Sequence, residues 1–320
     1  MPASSVTVAQ LSDIHLGPLP SIPPRLINIK RMAGFLNWHW ARRFIHLPAT
    51  AARIAEDVVA LAPTHIAVTG DLTNLGLPSE VARAAVWLQR LGPPERISVI
   101  PGNHDIYATF AGRKLGTASL SLWKAYLACD TEGARYGDGS QFPFVRILRH
   151  GQTSVALIGL NSAIETAPMV ATGVLGLEQL GRLARILDAT RADGLVRVVM
   201  LHHPPQPPGA KAHHELTDAA ALADVLRAHG AELVIHGHNH KRSIVPFDGA
   251  QGRFAIVGVP SASVGVHSRR GDDLARAHMF QITSNPADGA PRITLIARGL
   301  AVPNGPVVEL ERRSLDRDSL

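Results

Sequence analysis

Short apolar runs alternate with longer segments whose apolar residues recur at helical spacing. Val6–Leu11, the run led by His65 (Ile66–Val68) and Ile97–Ile100 each predict a buried strand followed by a polar loop. Between them, Thr50 opens a predicted helix to about Leu61, with Ile54, Val58 and Leu61 in its stripe. Ser79 opens another, with Val81, Ala85 and Leu88, and Gly92-Pro93-Pro94 halts it. Strands alternating with helices predict parallel βαβ units.

The texture changes near Phe142. Phe144–Leu148 and Ser154–Gly159 lie close enough to form a hairpin. A helix at Leu177–Leu187, a strand at Val196–Leu201, a helix from Thr217 stopped at Gly230 and a strand at Glu232–Ile235 follow. Ala255–Val259, Met279–Ile282 and Ile293–Ile296 read as antiparallel strands. The length suits one large or two ordinary domains, with a basic insertion at 18–48 and a frayed, charged tail at 306–320.

Composition narrows the class. The chain has 320 residues and 46% hydrophobic content, which supports a sizeable core built mostly from aliphatic residues, since aromatics are 5%. A single cysteine, Cys129, excludes an internal disulfide. Residues Met1–Ser5 carry no basic region ahead of an apolar one, and no window is long enough to span a bilayer. The expected location is the cytoplasm, with peripheral contact at the inner face of the membrane as a further option.

Every predicted strand of the parallel set ends in residues that bind metals or move protons. The positions are Asp13 and His15, Asp71, Asn103-His104-Asp105 after Pro101-Gly102, His202-His203, and His238 and His240. Strand alternation would put Asp13 and His15 on one side. Oxygen and imidazole donors suit first-row metal ions, and the lack of cysteine ligands argues against a structural zinc site. Even seven ligands drawn from these ten positions exceed the need of one ion and fit two ions sharing a carboxylate, about 3.5–4 Å apart.

The set Asp13-Ile14-His15, Gly70-Asp71, Gly102-Asn103-His104-Asp105, His202-His203-Pro204 and Gly237-His238-Asn239-His240 resembles the calcineurin-like metallophosphoesterases. The resemblance covers about Val6 to Lys241 and implies a single domain over 1–305. The texture is most similar to the bacterial branch with class III cyclic nucleotide phosphodiesterases and glycerophosphodiesterases. It implies an α/β fold, a four-layer α/β/β/α sandwich of two mixed sheets flanked by helices. It also implies a phosphodiesterase with two metal ions (Mn, Fe or Zn) that attacks P–O bonds through a hydroxide held between them. In that pattern Asp13, His15 and His240 bind the first ion, Asn103, His202 and His238 the second, and Asp71 bridges. His104 protonates the leaving oxygen or stabilises its charge, and Asp105 orients the His104 imidazole. His203, and His213 and His214 in the following loop, are candidates for substrate contact.

One segment stands outside this pattern. From Ile14 to Ala55 there is no acidic residue, while Arg25, Lys30, Arg31, Arg42, Arg43 and Arg53 interleave with Phe35, Trp38, Trp40 and Phe44. Over 25–44 this suits an anionic membrane interface, a lid over an anionic substrate, or an insertion packed on the core by its tryptophans. The substrate is accordingly a cyclic nucleotide or other small phosphodiester, or a lipid-linked pyrophosphate or phosphodiester. Nucleic acid is not the expected partner, because no long basic surface is evident. A non-catalytic binding module would have lost ligands, and every expected ligand type is present.

Overall fold

The computed structural model describes residues 5–107, 120–205, 215–268, 271–284 and 290–320. Its strands, in chain order, are β1 (Val6–Leu11), β2 (His65–Val68), β3 (Ile97–Val99), β4 (Phe144–His150), β5 (Thr153–Gly159), β6 (Val196–Met200), β7 (Leu233–His236), β8 (Ser243–Gly249), β9 (Gly252–Gly258), β10 (Arg276–Thr283), β11 (Arg292–Leu300) and β12 (Val307–Ser314). The helices are α1 (Ile29–Trp40), α2 (Pro48–Ala60), α3 (Pro78–Leu91), α4 (Leu177–Ala192) and α5 (Ala219–His229). Two six-stranded mixed sheets form, ordered β12-β11-β10-β1-β2-β3 and β4-β5-β6-β7-β9-β8.

The layers follow from burial on both faces of each strand. Val6 and Val8 of β1, with Phe280 and Ile282 of β10, pack against Leu157, Val198, Met200, Leu233 and Ile235 of the other sheet. The alternate residues Ala9 and Leu11 meet Ile54, Val58, Val81 and Leu88 of α2 and α3. On the far side, Ile158, Val199 and Val234 meet Leu183, Leu187, Leu222 and Leu226 of α4 and α5. Helix, sheet, sheet and helix therefore stack as the expected α/β/β/α sandwich, and continuous apolar runs are what doubly covered strands require.

Several local expectations change. α2 and α3 start at Pro48 and Pro78, each at a first helical position, rather than at Thr50 and Ser79. Asp218, not Thr217, precedes α5, and its carboxylate accepts from the Leu175 and Gly176 amides. β9 runs parallel to β7 and antiparallel to β8, a strand the pattern did not reveal. β8 is half-exposed along its length, so it lacks an apolar run.

The charged stretch at 306–320 is not a frayed tail. Val307–Ser314 pairs with β11 as an edge strand, Leu315 is buried, and the Ile293 amide donates to the Asp316 carboxylate at 2.8 Å. Its charges belong to an exposed strand face, where Arg242 and Arg312 bind Glu311 and Glu309.

Of the insertion's two tryptophans, Trp38 is half-buried and Trp40 is no anchor. Trp40 is 71% exposed, whereas Arg31 is 1% exposed and donates to the carbonyls of Leu26 and Leu75. Gly34 lies so close to Leu75 that an added Cβ would come within 2.6 Å of its side chain, and Lys30 donates to the Thr166 carbonyl at 2.9 Å. A short 3-10 turn at Arg42–Phe44 then leads into α2.

Candidate metal centre

The donor residues collect at the C-terminal ends of β1, β2, β3, β6 and β7, where the chain must turn sharply. Asp13, His15, Asp71, His238 and His240 all adopt left-handed backbone, with φ of 52°, 45°, 57°, 70° and 52°. Such residues cost on the order of 1 kcal/mol or more each and persist where surrounding structure enforces them. Asp13 and His15 therefore meet through two left-handed turns beyond Leu11, not through strand alternation. Gly70, at φ 97°, is required for the same turn: a Cβ there would lie 2.6 Å from the Gly102 amide nitrogen.

Two donor clusters form. In one, His240 Nε2 is 3.3 Å from Asp13 Oδ1 and 3.4 Å from His15 Nε2. In the other, Asn103 Oδ1 is 3.2 Å from His202 Nε2 and 3.0 Å from His238 Nδ1. Asp71 Oδ2 stands between them, 3.9 Å from His15 Nε2 and 3.5 Å from His202 Nε2. The seven residues expected as ligands meet here, a ring nitrogen of His203 lies within 4.8 Å of those of His202 and His238, and Asp13, His15, Asp71, Asn103 and His202 are buried.

The supporting hydrogen bonds aim these atoms. His15 Nδ1 donates to the Thr73 carbonyl at 3.1 Å and His202 Nδ1 to the Thr69 carbonyl at 2.7 Å, leaving both Nε2 atoms facing inward. Asp71 Oδ1 accepts the His104 amide at 2.8 Å, which leaves Oδ2 for the clusters. Asp13 Oδ2 accepts the His238 amide at 3.0 Å, while Oδ1 accepts no hydrogen bond. A buried carboxylate oxygen without a donor, ringed by imidazole lone pairs, fits a cation better than any hydrogen-bonded arrangement.

The electrostatics show the same need. Burial favours the neutral form of Asp71, yet the imidazoles of His202 and His104 hold it well below the usual carboxylate range. Burial likewise opposes charge on His202, but the Asp71 carboxylate outweighs it and raises the imidazole to about 9. Burial and the Arg42 guanidinium push His15 well down and His104 down to about 4.

Asp105 does not orient His104. His104 Nδ1 donates instead to the Asn74 carbonyl at 2.5 Å. The Asp105 carboxylate accepts the amides of Asp71 (2.8 Å), Gly102 (2.9 Å) and Thr73 (2.9 Å), clamping the Asp71 loop onto the Gly102 turn. Two loops that must be held together present bare amides, and these outcompete the single imidazole N–H. Burial and the Asp71 charge push Asp105 up to about 7.

His203 is buried beside the second cluster, its ring 4.5 Å from that of His238 and its Nδ1 2.8 Å from Ser162 Oγ. His213 and His214 lie outside the described residues. Arg42 and His46 are functional neighbours that motif spacing did not single out. Arg42 donates to His15 Nε2 at 2.6 Å and to His104 Nε2 at 2.9 Å, and the His46 ring sits 4.7 Å from that of His15. The available signal for Arg42 was a pair of arginines within an acid-free segment.

Imidazole, carboxylate and amide donors thus stand in two clusters at the strand ends of a four-layer sandwich. The chain belongs to the calcineurin-like phosphoesterases, whose family model matches residues 6–242. Its sequence is 27% identical over 191 residues to a probable cyclic nucleotide phosphodiesterase of Rhodococcus erythropolis, covering 58% of this chain and 54% of that one. The chain thus spans about half the length of this curated relative. Among solved structures, a dimetal phosphatase from Danio rerio is similar at TM-score 0.53 and 12% identity, over 98% of this chain and 99% of that one. The purple acid phosphatase PPD1 of yellow lupin is similar at TM-score 0.57 and 12% identity, over 98% of this chain and 54% of that one. These two likenesses concern the fold. Among the described residues, no helix is long and apolar enough to cross a membrane.

Proposed function

We propose that the protein is a phosphodiesterase that works with two metal ions. The observation that carries this is the position of Asp71 Oδ2, between a cluster of Asp13, His15 and His240 and a cluster of Asn103, His202 and His238. One shared carboxylate oxygen with a complete donor set on each side suits a pair of Mn, Fe or Zn ions. Such a pair supplies Lewis acidity toward phosphoryl oxygens and an activated water for in-line displacement.

The chain's own residues do the rest. Asp71 holds the two sides in register, and the clamp made by Asp105 holds Asp71. His104 is fixed through Nδ1 on the Asn74 carbonyl; once an anionic phosphate draws the Arg42 guanidinium off its Nε2, that nitrogen takes up a proton from water and passes it to the leaving alkoxide as the P–O bond breaks. Arg42 binds a non-bridging phosphate oxygen, since its guanidinium already reaches the lone pairs that face that space. His203 backs His238 from the second side. The likeness to a probable cyclic nucleotide phosphodiesterase supports a diester over a monoester.

Substitution His104→Ala tests the assignment. Metal content should stay near two ions per chain while turnover of an aryl phosphodiester falls about a hundredfold or more. Unchanged turnover in that variant would remove His104 from the mechanism. No hydrolysis by the metal-loaded native protein would remove the phosphodiesterase reading itself.

A further inference from the structure

The insertion leaves an unpartnered apolar face. Ile29, Met32, Leu36 and Trp40 of α1 are 79%, 38%, 39% and 71% exposed. At 3.6 residues per turn they fall within an arc of about 80° and run about 16 Å along the helix. Phe44, 57% exposed, continues the patch past the C-terminal end, and Ile27, 49% exposed, extends it at the other. The opposite side of α1 is the one that packs, through Arg31 and Gly34. Monomeric proteins seldom expose so continuous an apolar stripe without an occupant.

Charge decides between occupants. The stripe is flanked by exposed Arg25 and Arg43, and no carboxylate occurs anywhere from Ile14 to Ala55. A second copy docked by the same face would bring arginines against arginines, which disfavours a symmetric dimer. An anionic bilayer meets both features at once, with headgroups for the arginines and the acyl boundary for Ile, Leu, Trp and Phe.

The stripe is also covalently close to the chemistry. Arg42, 9% exposed, points its guanidinium at His15 and His104, while its neighbours Arg43 and Phe44 are exposed. One short turn therefore carries a group that faces the surroundings and a group that faces the reacting phosphate.

We propose that the outward face of α1, with Arg43 and Phe44, lies on an anionic bilayer and that the phosphodiester hydrolysed is lipid-anchored. The substrate half of this inference rests on the site being a phosphodiesterase; the membrane half does not. Hydrolysis would add water across the P–O bond, leaving a phosphomonoester on one product and a hydroxyl on the other.

The test compares the native chain with an Ile29→Glu/Leu36→Glu double variant, both positions lying away from the donor clusters. Sedimentation uses phosphatidylcholine vesicles with and without phosphatidylglycerol. The native chain should bind the phosphatidylglycerol vesicles, with a blue shift of tryptophan emission. The double variant should lose about tenfold in partitioning per substituted side chain. Hydrolysis of vesicle-borne phosphatidylglycerol should fall in parallel, while turnover of soluble bis(p-nitrophenyl) phosphate stays unchanged. Equal sedimentation of the two proteins overturns the membrane surface. So does absence of vesicle binding with a dimer that the double substitution dissolves, which would give the stripe to a second copy. Vesicle binding with turnover of the soluble diester alone overturns the lipid substrate. Vesicle binding with no turnover of either diester leaves the membrane surface standing and overturns the phosphodiesterase reading.

Discussion

Arg42 donates to the Nε2 of His104 at 2.9 Å, although the two residues are 62 positions apart and belong to different parts of the fold. The same guanidinium reaches His15 Nε2 at 2.6 Å. An arginine of the insertion thus lies against one proposed ligand and one proposed proton carrier. Arg42→Ala should bind the first metal ion more tightly, because His15 Nε2 no longer spends its lone pair on a hydrogen bond. It should also lose about 10–100-fold in kcat/KM for a phosphodiester, the worth of a hydrogen bond between charged groups. Isothermal titration with Mn and steady-state kinetics measure the two effects. A drop in both metal affinity and kcat/KM would instead make Arg42 a purely structural support.

Asp71 is expected to be indispensable to both clusters. Asp71→Asn keeps the shape and removes the shared charge, so bound metal should fall from about two ions to one or none. Activity should fall by about a thousandfold, the scale of several kcal/mol of charge stabilisation. Elemental analysis of the purified variant, alongside turnover, checks this.

Asp105 acts on geometry. Asp105→Asn exchanges a carboxylate oxygen for an amide group facing the Asp71, Gly102 and Thr73 amides. The expected result is a 10–100-fold loss of metal affinity, as for other groups that orient ligands, together with a lowered melting temperature. The limb of the pH–rate profile set by His104 should not move, because the Asp105 carboxylate binds backbone amides and not the His104 ring, while any inflection near 7 from Asp105 itself should disappear. A shifted His104 limb would restore the imidazole-orienting role.

Acid should destabilise the fold through two histidines remote from the donor clusters. His65 is buried with Nε2 2.8 Å from Ser98 Oγ, and burial first, then Arg146 and Arg96, pushes it down to about 3. His278 is buried with both ring nitrogens unpartnered, and burial first, then Arg276, pushes it down to about 3. Both lie below the unfolded value of about 6.5, so the unfolded chain takes up the protons first. Stability should hold above about pH 6.5 and fall as pH drops toward 3. Each group adds at most about 1.4 kcal/mol per pH unit over that window. Urea unfolding across this range should show a shallower acid limb for His278→Leu than for the native chain.

Chelation should cost stability as well as activity. The left-handed residues and the unpartnered Asp13 Oδ1 are tolerated best with cations present. Bound ions at a hundredfold their Kd contribute about 2.7 kcal/mol per site. Excess EDTA should lower Tm by several degrees, and Mn should restore it.

Legibility along the chain follows the range of the interactions involved. β1, β2, β3, β6 and β7 were readable because strands covered on both faces need unbroken apolar runs. β8 and β12 were not, since an edge strand with one wet face looks like loop or tail. The donors were readable because each sits at a strand end in a short, recognisable string. Their aim was not. Asp13 and His15 are brought together by backbone left-handedness, which residue names do not encode. Asp105 is turned away from its sequence neighbour His104 by amides of a loop about thirty residues earlier.

By itself the sequence determined the family, the layered architecture and the identity of the metal-type donors, because hydrophobic periodicity and local motifs are properties of short stretches. Only the tertiary structure decided that Asp71 Oδ2 stands between two donor clusters and that Arg42 enters the site. It alone placed the apolar stripe of α1 outside, with its tryptophan exposed. Those outcomes depend on which surfaces pack first and on hydrogen bonds between segments far apart in the chain, and periodicity within one segment carries no information about its partner.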